Sequence, residues 1–204
     1  MEKWLKLAME IQALAQDGLA YTNNNYDIER YNRLREISAE MISLKTDLSL
    51  DKVKDLFCNE EGYQTPKLDT RAAIFKDNKI LLVHENNDTW SLPGGWVDVL
   101  ESIYSNIVKE VYEEAGLEVI PDKIIAIQDR NKHNTPIYAY GICKVFVLCN
   151  LKGGSFKENI ETTEIKYFSY DELPKNLANE KNTKEQIKMC FDALNNDNWK
   201  VVFD

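Results

Sequence analysis

The 204-residue sequence predicts an α/β domain built on a mixed sheet, preceded by a small all-helical N-terminal module. Two observations carry this expectation. Up to about residue 57 apolar residues recur at three- and four-residue steps, the period of a helix that buries one stripe. From residue 70 the period changes, and strand-like runs alternate with helical stripes, the order of a mixed α and β domain.

Each element follows from its own residues. A first helix covers 3–19, where Trp4, Leu7, Ala8, Ile11, Leu14 and Ala15 share a stripe, and Gly18 with the run Asn23, Asn24, Asn25 closes it. A second stripe starts at Asp27 and carries Ile28, Tyr31, Leu34, Ile37, Met41 and Leu44. Ser49 suits the N-cap of a third, short helix carrying Leu50, Val53, Leu56 and Phe57. The stretch 58–69 is polar, holds Gly62 and Pro66, and sets the boundary between a helical module, 1–66, and a mixed α/β domain, 67–204. Strands at 70–75 and 80–85 form a hairpin around Lys76, Asp77, Asn78 and Lys79. A helix over 102–115, strands over 123–129 and 137–151, and a last core strand at 167–169 follow. Residues 183–194 form a closing helix with Thr183 and Gln186 spaced as a capping box, and 201–203 an edge strand. There is no internal repeat and no low-complexity tract.

Bulk properties narrow the function classes. No apolar run approaches the roughly 20 residues needed to span a bilayer, so no membrane partner is expected. The N-terminal residues intersperse charges among apolar side chains and lack a small-residue cleavage site, which predicts a cytoplasmic protein without a secretory signal. Cys58, Cys143, Cys149 and Cys190 are scattered, without Cys-x-x-Cys spacing, and read as buried free thiols rather than a zinc site. The net charge of -9 opposes non-specific nucleic-acid binding and suits a protein that recruits phosphates through metal ions.

Chemistry concentrates between Gly95 and Leu117. Glu101 follows Gly95 after five residues, and after seven more come Lys109, Glu110, Val111, Tyr112, Glu113, Glu114, Ala115, Gly116 and Leu117. At about 100° per residue, Glu110, Glu113 and Glu114 fall on one helical arc and converge. Ile103, Ile107 and Val111 mark the apolar side of that helix, so Glu110 and Glu114, at its margin, are expected to be partly sheltered. Like charges one turn apart destabilise a helix by a few tenths of a kcal/mol, partial burial worsens this, and a bound cation reverses it. Magnesium suits such a site because it takes oxygen ligands, keeps several waters and shares its coordination sphere with phosphates. Glu101, near the helix start, is favoured by the helix dipole. Ser91, Leu92, Pro93, Gly94 and Gly95 let backbone approach metal and phosphates with no Cβ in the way.

This spacing resembles the Nudix box, G-x5-E-x7-R-E-U-x-E-E-x-G-U with U aliphatic, at every fixed position but one. Two glycines and four glutamates at set spacings, at about 7% per type, predict a chance match on the order of 10⁻⁵, which decides against coincidence. The resemblance implies the Nudix α/β/α sandwich and a Mg2+-dependent pyrophosphohydrolase, with Mn2+ a possible substitute. By motif, Gly95 through its main chain, Glu110 and Glu114 are the first-choice metal ligands, with Glu113 close behind. Glu101 orients other box residues or adds a ligand. Lys109 stands where the family has arginine, whose planar fork can hold two carboxylates at once. Either Lys109 orients the box or it is a solvated or helix-paired side chain.

The helical start, with Gln12 to Gln16, Gly18, Tyr26 to Arg30 and Ile37 to Glu40, is similar to the N-terminal module of a bacterial Nudix subgroup that includes ADP-ribose and CDP-choline pyrophosphatases. That similarity implies a homodimer whose helical module contributes to the interface and to the partner's substrate pocket, the alternative being a helical cap packed on its own catalytic domain. It also implies a small nucleotide substrate, with CDP-choline, split to CMP and phosphocholine, first and ADP-ribose second. A choline cage would draw on Trp90, Trp96, Tyr138, Tyr140 or Tyr21 through cation-π attraction, the alternative for each being core packing or base stacking. Arg130, Lys132 and His133, in a basic loop over 129–134, could grip phosphates or base, while His84 reads as structural or exposed. A general base in the family often lies on a loop after the box, where Glu158, Glu161 and Glu164 stand, and Glu161 is preferred. The remaining alternatives are RNA-end processing, which the acidic charge disfavours, and a dimer that senses nucleotide without turnover.

Overall fold

Helical periodicity gives way to a sheet at the boundary between two units. The computed structural model describes residues 2–46, 48–58 and 60–204, and the chain divides into Met1–Pro66 with Ile137–Gly141, and Lys67–Pro136 with Ile142–Asp204. The first unit holds α1 (Lys3–Tyr21), α2 (Asn25–Ser43) and α3 (Leu50–Phe57). Asn24 starts α2 rather than merely ending α1, because its side chain accepts the Tyr26 N–H at 2.9 Å. Ser49 caps α3 as expected, accepting the Lys52 N–H at 3.3 Å. Gly18 lies inside α1 instead of closing it, and a Cβ there would stand 2.3 Å from the Tyr31 ring of α2, so the glycine serves helix packing. Ala8, Ala39, Ile42, Val53 and Phe57 form the core of this unit, with Ala139 packed against it. The Leu56 side chain, expected on the α3 stripe, lies outside the described residues.

The second unit is a mixed sheet between two helices. Its strands are β1 (Lys67–Lys76), β2 (Lys79–Glu85), β3 (Trp90–Ser91), β4 (Leu117–Asp129), β5 (Ile142–Gly154), β6 (Thr162–Phe168) and β7 (Val202–Phe203). The order is β3-β2-β1-β5-β4-β7, with β6 also paired to β2; β1 and β5 run parallel, as do β4 and β7, and the other pairs are antiparallel. The period of two sends alternate residues to opposite faces. Ala72, Ile74, Val145 and Val147 face the helix α4 (Ile103–Ala115) through Ile107, Val111 and Ala115. Ala73, Phe146 and Leu148 face the opposite way, onto Ile187, Cys190 and Phe191 of α6 (Lys184–Leu194). Burial on both faces gives β1 and β5 their near-continuous apolar runs. The result is the α/β/α layering.

Several boundaries move for identifiable reasons. β4 starts at Leu117, directly after α4, because bulges at Glu118/Val119 and Pro121/Lys123 break the alternation that would mark it. β5 starts at Ile142, since residues 137–141 belong to the first unit. The loop at 129–134 is a single helical turn, α5 (Arg130–His133), with Asp129 as its cap. Thr183 and Gln186 form the expected capping box of α6. All four cysteines are free, with Cys149 and Cys190 buried and Cys58 and Cys143 only partly so.

Candidate active site

The first layer of the site is backbone. β1 meets β2 only at its far end, at Phe75 and Lys76, so its nearer N–H and C=O groups need other partners. The glycine loop supplies them. Ala72 N–H donates to Pro93 O and Thr70 N–H to Gly95 O, both at 2.8 Å, and Val97 N–H donates to Leu68 O at 3.0 Å. Gly94 sits at φ +138°, and a Cβ there would fall 2.0 Å from Thr70 O, so only glycine lets the loop lie this close to the strand. The buried Asn106 of α4 fastens the arrangement, its Nδ2 donating to Thr70 Oγ1 at 2.9 Å.

The second layer is the acidic face of α4. Ser102 and Ser105 form a reciprocal capping box at its start, and Gly116 at φ +65° ends it. Glu114 is only 6% exposed, and Gly94 N–H donates to its Oε2 at 2.9 Å. One turn earlier, Glu110 presses on the loop so closely that a Cβ on Gly95 would lie 2.6 Å from its Oε2. Burial pushes the Glu114 carboxyl up to about 7, opposed by the Arg71 guanidinium and the Gly94 N–H. Burial also raises Glu110, opposed by Lys109. Glu113, in contrast, is exposed, so the expected convergence of three carboxylates reduces to the sheltered Glu110 and Glu114. The reason is angular: successive helix positions turn by about 100°, which carries Glu113 away from the loop once its two neighbours face it. Among the described residues no three acidic, histidine or cysteine side chains come close enough to hold a metal ion by themselves. A pair still fits magnesium, which is commonly held by one or two carboxylates with waters and substrate phosphates completing the shell. The Gly95 carbonyl accepts the Thr70 N–H at 2.8 Å and, much more weakly, the Thr70 hydroxyl at 3.5 Å, so its second lone pair is only loosely engaged.

Lys109 lies between two acids, with Nζ 2.6 Å from Asp98 Oδ2 and 3.1 Å from Glu110 Oε1. The hydrogen bond to Asp98, first among the causes, raises its pKa. The structure therefore brings Lys109 to the box acids, while Glu101 stands half-buried before the Ser102 cap.

A cleft of about 260 Å³ opens beside Glu114, lined also by Glu85, Asn86, Asn87, Ile160, Glu161 and Lys181. Glu161, 47 residues beyond Glu114 in the chain, thus shares a cavity with it. Asn159 makes the connection: its Nδ2 donates to the carbonyls of Glu113 and Glu114 at 3.0 and 3.3 Å, and its Oδ1 accepts the N–H groups of Glu161 and Thr162 at 3.0 and 2.9 Å. Sequence reasoning missed Asn159, and no local pattern marks it. It also missed Arg71, fully inside β1, which donates to both oxygens of Asp69 at 2.9 and 2.7 Å and to Leu92 O at 3.3 Å. A charge within a buried strand was the available signal, since such a group needs a built partner.

The expected substrate contacts fare differently. Arg130 is 1% exposed and donates to Pro136 O and, at 3.2 Å, to Asn131 Oδ1, so its guanidinium points inward instead of reaching phosphate. His133 Nε2 lies 2.6 Å from Asp204 Oδ2, an attachment for the C-terminal residues. Lys132 is exposed. Trp96 is 46% exposed and bridges Asp69 on β1, beside the glycine loop. Tyr138 stacks on Tyr140 with ring centroids 5.4 Å apart, both in the segment that belongs to the first unit. Trp90 is a core residue set edge-on to Phe168 at 5.0 Å.

Comparison with known proteins places this geometry among relatives. A family model described as the NUDIX domain matches residues 66–189, and one described as a UDP-X-like N-terminal oligomerisation domain matches residues 2–57. A putative ADP-ribose pyrophosphatase, YjhB of Bacillus subtilis, is 41% identical over 203 residues, covering 99% of this chain and 97% of that protein. The crystal structure of an ADP-ribose pyrophosphatase from Streptococcus suis is 51% identical, covers 69% of this chain and all of its own, and superposes with a TM-score of 0.64. That of a UDP-X diphosphatase is 32% identical, covers 98% of this chain and 97% of its own, and has the same TM-score of 0.64.

Proposed function

The chain belongs to the Nudix hydrolase family, and from that premise we propose that it hydrolyses the diphosphate bridge of a nucleoside diphosphate joined to a second moiety, with Mg2+ as cofactor. The observation that carries this reading is the sheltered Glu110–Glu114 pair lying against the glycine loop, with Glu161 on the wall of the adjoining cleft. Glu110, Glu114 and the Gly95 carbonyl, whose second contact to the Thr70 hydroxyl is long, would hold the ion, and Mn2+ would suit the same oxygens. When bound, a divalent cation lowers the pKa of water and offsets charge on phosphate oxygens. Glu161 accepts the proton of the attacking water, whose oxygen bonds to one phosphorus while the bridging P–O bond breaks and the other phosphate leaves as a monoester. Lys109 holds Glu110 in place from the side of Asp98, and Glu101 and Glu113 surround the site without being primary ligands. Trp96, Lys132 and His133 are the expected substrate contacts that remain exposed, His133 being engaged with Asp204.

ADP-ribose is the first substrate to test, supported by the names of the B. subtilis and S. suis relatives. CDP-choline and a UDP-linked conjugate follow. The burial of Trp90 removes one candidate wall of a choline cage and weakens the CDP-choline reading. We also propose a homodimer formed through the helical unit, in keeping with the oligomerisation model that matches it. The test is a nucleotide panel with Mg2+, coupled to a phosphatase that releases phosphate from the monoester products, with Glu114→Gln as blank. Metal-dependent turnover of a diphosphate conjugate that is lost in the blank is expected. Binding without turnover on every substrate would favour the sensor reading, and turnover confined to RNA ends would replace the substrate class.

A further inference from the structure

The cleft beside Glu114 has a wall that the box does not supply. Glu85, at the end of β2, and Lys181, in the turn before α6, both line it. Lys181 Nζ stands 2.7 Å from Glu85 Oε2, and Ser91 Oγ donates to Glu85 Oε1 at 2.5 Å. The carboxylate is thus held from both sides, and it fixes the lysine head at the cleft wall. The main chain beneath Lys181 is fixed as well. Its carbonyl and that of Glu180 accept the ammonium of Lys144, a side chain from β5 that is 1% exposed, the latter at 3.1 Å. Asn182 Oδ1 accepts the Leu92 N–H at 2.7 Å, tying the same turn to the glycine loop. Lys181 N–H and Asn182 N–H both donate to Ala178 O at 2.8 Å.

Charge gives this placement a purpose. Glu85, Glu114 and Glu161 line the same small cavity, and Lys181 is the cation in that lining. A diphosphate entering it meets like charge, which must be offset on the side away from the Glu110–Glu114 pair. We propose that Lys181 is a substrate-contact residue, donating from its ammonium to a non-bridging oxygen of the diphosphate, with Glu85 as the partner that presents it. This inference rests on the Nudix reading of the site given above. The oxygen it touches is charged both before and during the reaction, so the contact strengthens substrate binding and transition-state binding alike.

The test uses the full chain with Lys181→Met and Lys181→Arg, Mg2+, and ADP-ribose and CDP-choline as substrates. Calorimetric binding of α,β-methylene-ADP, whose P–C–P bridge resists hydrolysis, is the readout independent of turnover. The Met variant is expected to raise KM and the analogue's Kd about tenfold or more, the effect of losing one charge-assisted hydrogen bond, with kcat little changed. The Arg variant, which keeps the charge, is expected to recover most of that loss, and both are expected to melt with the wild type. Wild-type KM and Kd in the Met variant, or a loss confined to kcat that arginine does not rescue, would overturn the inference while leaving the family reading intact. A wild type that neither binds the analogue nor cleaves either substrate would instead remove the reading on which it rests. Where the Met variant melts early, Lys181→Gln decides by the same KM criterion.

Discussion

Glu114 keeps its carboxylate almost wholly out of water, one helical turn from a second acid, and its pKa rises to about 7 because burial penalises the charge. A carboxyl raised on folding contributes stability that is full below its unfolded pKa, near 4.5, and is lost as pH climbs through about 7. The metal-free protein should therefore lose about 3 kcal/mol from this group between those values. Denaturant midpoints in chelator at pH 5 and pH 8 check this: the difference should be clear in the wild type and much smaller in Glu114→Gln. An equal difference in both would mean that another group carries it. Lys109 permits a second prediction. Because it bridges Asp98 and Glu110, Lys109→Ala should weaken activation by Mg2+ about tenfold, whereas Lys109→Arg should stay near wild type, as read from metal titrations of activity. These box residues were legible in the sequence because one helix sets their spacing. The outward turn of Glu113 was not, since it depends on where the glycine loop lies. Arg130 was legible as a basic residue near a turn, but only the fold decides that its guanidinium meets the Pro136 carbonyl instead of solvent.

The elements show the same division between local and distant causes. α4 and α6 could be read because their caps and stripes are written in adjacent residues: Ser102 with Ser105, Thr183 with Gln186, and Ile107 with Val111. β4 could be read only in its second half, since its bulges interrupt the period of two on which recognition depends. The loop between β5 and β6 gave a candidate acid, Glu161, without any sign of what brings it to α4. That device is Asn159, which joins the last carbonyls of α4 to the N–H groups of Glu161 and Thr162. Asn159→Ala should leave the fold intact, because the half-buried residue lies in a loop outside both cores of the sheet, yet free the loop that carries Glu161. The expected result is a kcat lowered by about tenfold with little change in KM, the effect of misplacing the proposed base. A variant with wild-type kcat would show that Glu161 does not act as base, or that other contacts hold it.

At the scale of the whole molecule, the helical unit poses a question that its own core does not answer. The α1 stripe reads from sequence as one apolar band, but the structure divides it. Ala8 and Ala15 are fully buried within the unit, while Leu7, Leu14 and Tyr21 are exposed, at 43%, 62% and 77%. These three recur every seven residues, a spacing that drifts only about 20° per step around a helix and so forms a continuous seam. α2 adds Tyr26 and Leu34, also exposed. Sequence periodicity cannot say which part of a broad stripe serves the unit's own core and which serves a second copy, because both are apolar and both follow the helical period. The net charge of -9 opposes casual self-association, so a dimer needs a specific apolar contact of this kind. A twofold pairing through α1 would bring each Leu14 near the middle of the contact, where a carboxylate would be buried beside its symmetry mate. Leu14→Glu is therefore expected to convert the proposed dimer to a monomer by light scattering, with helix content by circular dichroism unchanged, since the side chain makes no part of the unit's core. A wild type that itself scatters as a monomer at micromolar concentration would remove the dimer, and a variant that stays dimeric would place the interface elsewhere on the chain.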